Sequence, residues 1–256
     1  RPKDLFNAAI SQLKFEPSLK TIWSVKPQKS RNQALHKLAS SLSASPLLLK
    51  LLSSCPVSDL KLEHTLKKIR SYLLAEALRN SKTFNFLPLQ SALALQCFIN
   101  EYLYTLSDAE QTDLEKLEIL VNDTLLKGEQ PRPEYILCLA SYEPLYKFKW
   151  CDLLKSTSSI ESVFTQQIKE PKQENDLKYN IRILDDITDH VSAKVREQYE
   201  ENPYPRWVNL SLELKPKSIA EVVEQLNLRV FDQEILKIEA PNILNAGCGT
   251  GQHPIG

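Results

Sequence analysis

Pro241-Asn242-Ile243-Leu244-Asn245-Ala246-Gly247-Cys248-Gly249-Thr250-Gly251-Gln252-His253 is the stretch on which the reading of this chain turns. Ile243-Leu244 starts a short buried strand, and three alternating glycines follow at its carboxy end. In open α/β sheets that end of a strand is where ligands bind. Glycine there lets the main chain turn sharply into a helix and approach a ligand closely. Elsewhere glycine is nearly absent: of the five in 256 residues, only Gly128 precedes Gly247. Sheet-rich folds need glycine at their tight turns far more often. The expected fold class is therefore mainly α. A helical domain spans 1–170, a linker and connecting helix 171–215, and the beginning of a Rossmann-like α/β domain 216–256.

Working outward, the helices announce themselves by period. Leu62, Leu66, Ile69, Leu73 and Ala77 share one face of a helix over 59–80, with Asp59 as N-cap and Lys61, Glu63, Lys67, Lys68 and Arg70 mostly off that face. A second helix is expected over 89–106. A third opens at Ser107-Asp108-Ala109-Glu110, a capping box, and stops at Gly128. Further helices are expected near 4–14, 32–54, 134–141 and 144–155. The polar segment Gln167–Lys178, with Pro171, reads as a loop or linker near a domain boundary. A short helix over Asp189–Glu200 turns Val191, Val195 and Tyr199 inward. Ser218-Ile219-Ala220-Glu221 is another capping box, for a helix running to about Leu226, and Ile235–Ala240 connects it to the strand.

Composition bounds the function. Lys+Arg and Asp+Glu are both 32, a zero formal net charge that makes nucleic acid an unlikely partner in general and leaves room only for a local patch. No apolar run is long enough to span a bilayer, and Arg1-Pro2-Lys3-Asp4 does not open a signal peptide. Five widely spaced cysteines, without a C-x-x-C pair, read as reduced thiols of a cytoplasmic protein. The four histidines show no ligand spacing, so no metal is expected. No internal repeat is recognisable.

The G-x-G-x-G spacing differs from the G-x-G-x-x-G of dinucleotide folds. With its strand, Asn245-Ala246-Gly247-Cys248-Gly249-Thr250-Gly251 resembles the first motif of class I S-adenosylmethionine-dependent methyltransferases. Val195-Arg196-Glu197-Gln198-Tyr199-Glu200-Glu201-Asn202-Pro203-Tyr204-Pro205-Arg206-Trp207 is similar to a segment that precedes that domain in bacterial proteins often carrying tetratricopeptide repeats. Gln96-Cys97-Phe98-Ile99-Asn100-Glu101-Tyr102 resembles the same family. The resemblance implies that Asn245 to Gly251 pass beneath the cofactor S-adenosylmethionine. Asn245 stands where the family usually has an acidic residue.

Tyr199 and Tyr204 would offer aromatic faces to a cationic sulfonium and its adenine, and Arg206 a partner for the cofactor carboxylate. The same block reads equally as a rigid interdomain clamp, and Gln96–Tyr102 as a core helix face, the alternative being that Asn100 and Glu101 form a polar contact across the domain interface. The implied activity is methyl transfer by in-line displacement, promoted by proximity and orientation. No general base is assigned. Residues 216–256 hold only the start of the catalytic domain, so the activity is expected of the intact protein. A protein or small molecule is favoured as acceptor, no membrane is involved, and the helical domain offers itself to a protein partner. The alternative is a helical interaction module with a vestigial methyltransferase-like end.

Overall fold

A computed structural model describes residues 2–23, 32–79, 86–178, 180, 188–201, 217–240 and 242. Every regular element among them is helical, as the scarcity of glycine implies. No helix among them is long and apolar enough to cross a membrane. The chain divides into two units, residues 1–184 and 185–256.

The first unit opens with α1 (Pro2–Phe15) and the single turn α2 (Lys20–Trp23). The expected helix over 32–54 is instead two, α3 (Asn32–Ser43) and α4 (Pro46–Leu52). Pro46 is the reason: it occupies the first turn of α4, where its missing N–H costs nothing, and forces Ser45 into extended backbone. Helix α5 (Leu60–Leu78) begins where the sequence places it. Asp59 caps it by accepting from the amides of Lys61 and Leu62, which is worth about 1 kcal/mol. Leu62, Leu66, Ile69, Leu73 and Ala77 are all buried. Arg70 departs from expectation: it is not on the solvent side but 2% exposed.

Helix α6 (Leu87–Ile99) is strongly apolar, and every residue from Ala92 to Ile99 is buried. It ends seven residues before the expected Leu106. Asn100 closes it, and Glu101 and Tyr102 both take the left-handed backbone, with φ of 55° and 56°. The Tyr102 amide donates to the Cys97 carbonyl at 2.8 Å and the Glu101 amide to that of Phe98 at 3.3 Å, a Schellman closure. Left-handed backbone costs a side-chain-bearing residue roughly 1–2 kcal/mol, so period alone gave no sign of this stop. The next helix stops as read. In α7 (Asp108–Leu126) the Ser107–Glu110 capping box forms, and Gly128 at φ 80° closes the end.

Helix α8 (Pro133–Ala140) has Pro133 in its first turn. The expected helix over 144–155 is only two 3₁₀ turns, Leu145–Lys147 and Cys151–Leu153. The segment expected to be a loop is helical: α9 (Glu161–Phe164), a π turn at Thr165–Lys169, then α10 (Glu170–Lys178). Pro171 lacks an N–H and crowds the carbonyl four residues back, and the widened π turn lies just ahead of it. That turn also brings Gln167 and Ile168 inward together. One core joins α1 through the π turn, with α6 and α8 packed against each other at its centre.

In the second unit, α11 (His190–Glu201) and α12 (Ile219–Gln225) are present, α12 with its Ser218–Glu221 capping box, followed by a 3₁₀ turn at Gln233–Lys237 within the expected connector. Val191, Val195 and Tyr199 do not turn inward: they are 67%, 45% and 66% exposed. The expected strand at Ile243-Leu244 lies outside the described residues.

Candidate functional site

Of the expected cofactor-binding residues, the structure describes Tyr199 alone. Asn245, Ala246, Gly247, Cys248, Gly249, Thr250, Gly251, Tyr204 and Arg206 lie outside the described residues. Tyr199 sits in the last turns of α11 with its ring open to solvent. Val195 and Val191, one and two turns earlier, share its side of the helix. The structure thus leaves the ring uncommitted to a core.

The Gln96–Tyr102 block divides between two structural tasks. Gln96 is fully buried. With its amide oriented to suit its neighbours, it donates to the carbonyls of Leu52 and Cys55 and accepts from the Val57 amide, all at 2.9–3.0 Å. It thereby holds the connection from α4 to α5. At the other end the Tyr102 hydroxyl donates to the Ala140 carbonyl at 3.2 Å. Phe98 meets the Tyr102 ring edge-on at 6.4 Å. This block is a helix end locked into the core.

Beside it lies a polar centre that the apolar period does not announce. Arg70 donates to the carbonyls of Ser141 at 3.3 Å, Tyr104 at 3.4 Å and Thr105 at 3.2 Å. Its guanidinium lies 4.0 Å from the Tyr142 ring centroid and 5.5 Å from that of Tyr104. The Tyr142 hydroxyl in turn donates to Glu110 at 2.8 Å. Glu110 also accepts from Ser71 at 2.5 Å and from Ser107 at 2.7 Å. Burial raises the affinity of Glu110 for a proton, but the donors Ser71, Ser107 and Tyr142 outweigh it and hold the carboxyl below its usual value. Burial drives the Tyr142 and Tyr104 hydroxyls far up, so both stay protonated. A trace of this centre is readable in the sequence. Arg70 follows Ile69 and stands four residues after Leu66 and three before Leu73, at the edge of the apolar stripe.

Gln167 completes the set of buried polar clamps. Its Nε2 donates to the carbonyls of Ala94 at 3.2 Å and Ala140 at 3.1 Å, and its Oε1 accepts from the Leu145 amide at 3.1 Å. The polar segment had given no hint that one of its amides is a core residue.

Cys97 is buried beside Arg70, and burial pushes its thiol up to about 12 despite that cation. Cys138, against Gln90, is pushed up to about 12 by the same cause. A thiol so placed stays protonated and inert as a nucleophile. Among the described residues no group of three or more His, Cys, Asp or Glu side chains is arranged to hold a metal ion. No protein-family model, curated protein or solved structure matches this chain.

Proposed function

We propose that this chain belongs to a class I S-adenosylmethionine-dependent methyltransferase whose helical unit selects or covers the methyl acceptor. The observation that carries the reading is the block Asn245-Ala246-Gly247-Cys248-Gly249-Thr250-Gly251 behind Ile243-Leu244, in a chain otherwise nearly free of glycine. In this reading the glycine loop presents bare main chain to the nucleoside and amino-acid portions of the ligand. Tyr199 and Tyr204 face its cationic sulfonium, and Arg206 meets its carboxylate. The exposure of Tyr199 supports its part, because an aromatic ring packed in a core could not be spared for a ligand. The ligand supplies an activated methyl group, and the residues of this chain bind and orient. The acceptor class favoured is a protein or small molecule, and the compartment favoured is the cytoplasm.

Asn245 favours a second reading, a helical interaction module with a vestigial methyltransferase-like end, since an amide there brings no negative charge to the ligand's cationic portion. Calorimetric titration of the full-length protein with S-adenosylmethionine and with its demethylated product separates the two. Saturable binding that is lost in Gly249→Val is the expected result. Absence of heat and of thermal shift at millimolar ligand overturns the methyltransferase reading and leaves the interaction module.

A further inference from the structure

Helix α7 is apolar on two sides at once. Leu117, Val121 and Leu125 face the core and are 0%, 0% and 4% exposed. Yet Ile119 and Leu126 stand 61% and 69% exposed, and Leu120 beside them 42%. A helix that only covers a core keeps its far side polar. Ile119 and Leu126 are seven residues apart, two turns, so they lie on one line along the helix. Register sets that line on the side away from Leu117 and Val121. Helices α5 and α8 pack on α7, and the exposure of Ile119 and Leu126 shows that neither reaches it.

The surroundings of this line are acidic. Glu115 stands one turn before Ile119 and Asp123 one turn after it, both exposed. Asp108, Glu118 and Glu129 are exposed along and just beyond the same helix. Among the described residues no ion pair engages any of these five carboxylates, and Glu115 meets only the side-chain amide of Gln111, at 3.1 Å. Lys116 is held by Asp113 at 3.1 Å, which leaves Lys127 as the counterweight from Asp108 to Glu129. All of these residues are described, and one helix carries the line and its flanks.

We propose that the outer face of α7 docks a cationic amphipathic helix of a partner protein. The apolar side of that helix meets Ile119 and Leu126, and its lysines or arginines meet Glu115 and Asp123. Charge chooses this partner. Nucleic acid and anionic lipid carry the sign of this face and are repelled by it. A second copy of α7 would set like carboxylates against each other. A metal ion is no rival, since among the described residues no group of three or more His, Cys, Asp or Glu is arranged to hold one. Apolar residues two turns apart match the repeat of a helix laid along α7. This inference stands apart from the methyltransferase reading.

The test is fluorescence anisotropy, with the full chain, of a labelled peptide of Leu and Lys alone, about 18 residues or five turns long, with Leu at helical spacing. Saturable binding is expected, weakening at least roughly fivefold between about 0.05 and 0.5 M salt. Ile119→Ser with Leu126→Ser should weaken it at least roughly tenfold. Glu115→Gln, Glu118→Gln and Asp123→Asn together should remove most of its salt dependence. Glu115→Lys with Asp123→Lys should shift the preference to a peptide of Leu and Glu, a gain that a damaged fold could not produce. Because these side chains are exposed, circular dichroism and the thermal midpoint should stay unchanged in all three variants. No binding at low salt overturns the proposal. So does equal binding of a shuffled peptide of the same composition, or binding indifferent to every variant. Self-association, or capture by phosphatidylcholine vesicles, that the serine variant abolishes also overturns it and assigns the face to a second copy or to lipid.

Discussion

Helices α5 and α11 share one sequence pattern and meet opposite fates. Each carries apolar residues at helical spacing: Leu62, Leu66, Ile69 and Leu73 in α5, Val191, Val195 and Tyr199 in α11. In α5 the stripe is sealed, with Leu62, Leu66 and Ile69 fully buried. In α11 the stripe is open along its length. Period therefore announces a helix and names its apolar side, but burial of that side requires a neighbour. Helix α5 has α2, α3, α6, α7 and α8 around it. The contrast extends to polar groups. Around α5 even a charged side chain is enclosed and bonded to three carbonyls, whereas among the described residues of the second unit none is buried.

The largest expected effect lies at the enclosed charge. Arg70→Ala removes three hydrogen bonds to carbonyls and the packing against Tyr142, and leaves those carbonyls without a donor. A loss of about 3–5 kcal/mol is expected, read by urea unfolding. A loss below about 1 kcal/mol, the scale of a surface site, would break the contrast between the two helices. The second effect is a pH dependence. Because the folded carboxyl of Glu110 sits below its ordinary value, its stabilisation is present above the unfolded value of about 4.5 and fades as pH falls through the lowered folded value. Acid titration of the thermal midpoint should show this decline, and Glu110→Gln should flatten it. An equally steep decline in Glu110→Gln would assign it to other carboxylates. The smallest effect is expected on α11, where Val195→Ala should change stability by less than about 0.5 kcal/mol. A loss near 2 kcal/mol would show that the stripe is covered after all.

Legibility followed the range of the interactions involved. The caps at Asp59, Ser107 and Ser218, the first-turn Pro133 and the stop at Gly128 were all readable, because each is decided within four residues of chain. The end of α6 was not: Glu101 and Tyr102 adopt a backbone that their side chains disfavour, held there in part by the Tyr102 hydroxyl on Ala140. Gln167 resembles linker in the sequence because its partners Ala94, Ala140 and Leu145 lie more than twenty residues away. For the expected cofactor site, the motif is legible in the chain and Tyr199 is open, and the glycine loop lies outside the described residues.

By itself, then, the order of residues determined that this is a mainly helical chain, where most of its helices begin, and which loop resembles a methyltransferase motif. Such features depend on local backbone preference, on capping and on the spacing of apolar residues. Tertiary structure alone decided that Arg70 and Gln167 belong to the core, that α6 stops at Ile99, and that the α11 stripe meets solvent. The reason is that a buried polar group is tolerable only where distant carbonyls and donors converge on it, and no local pattern records that convergence.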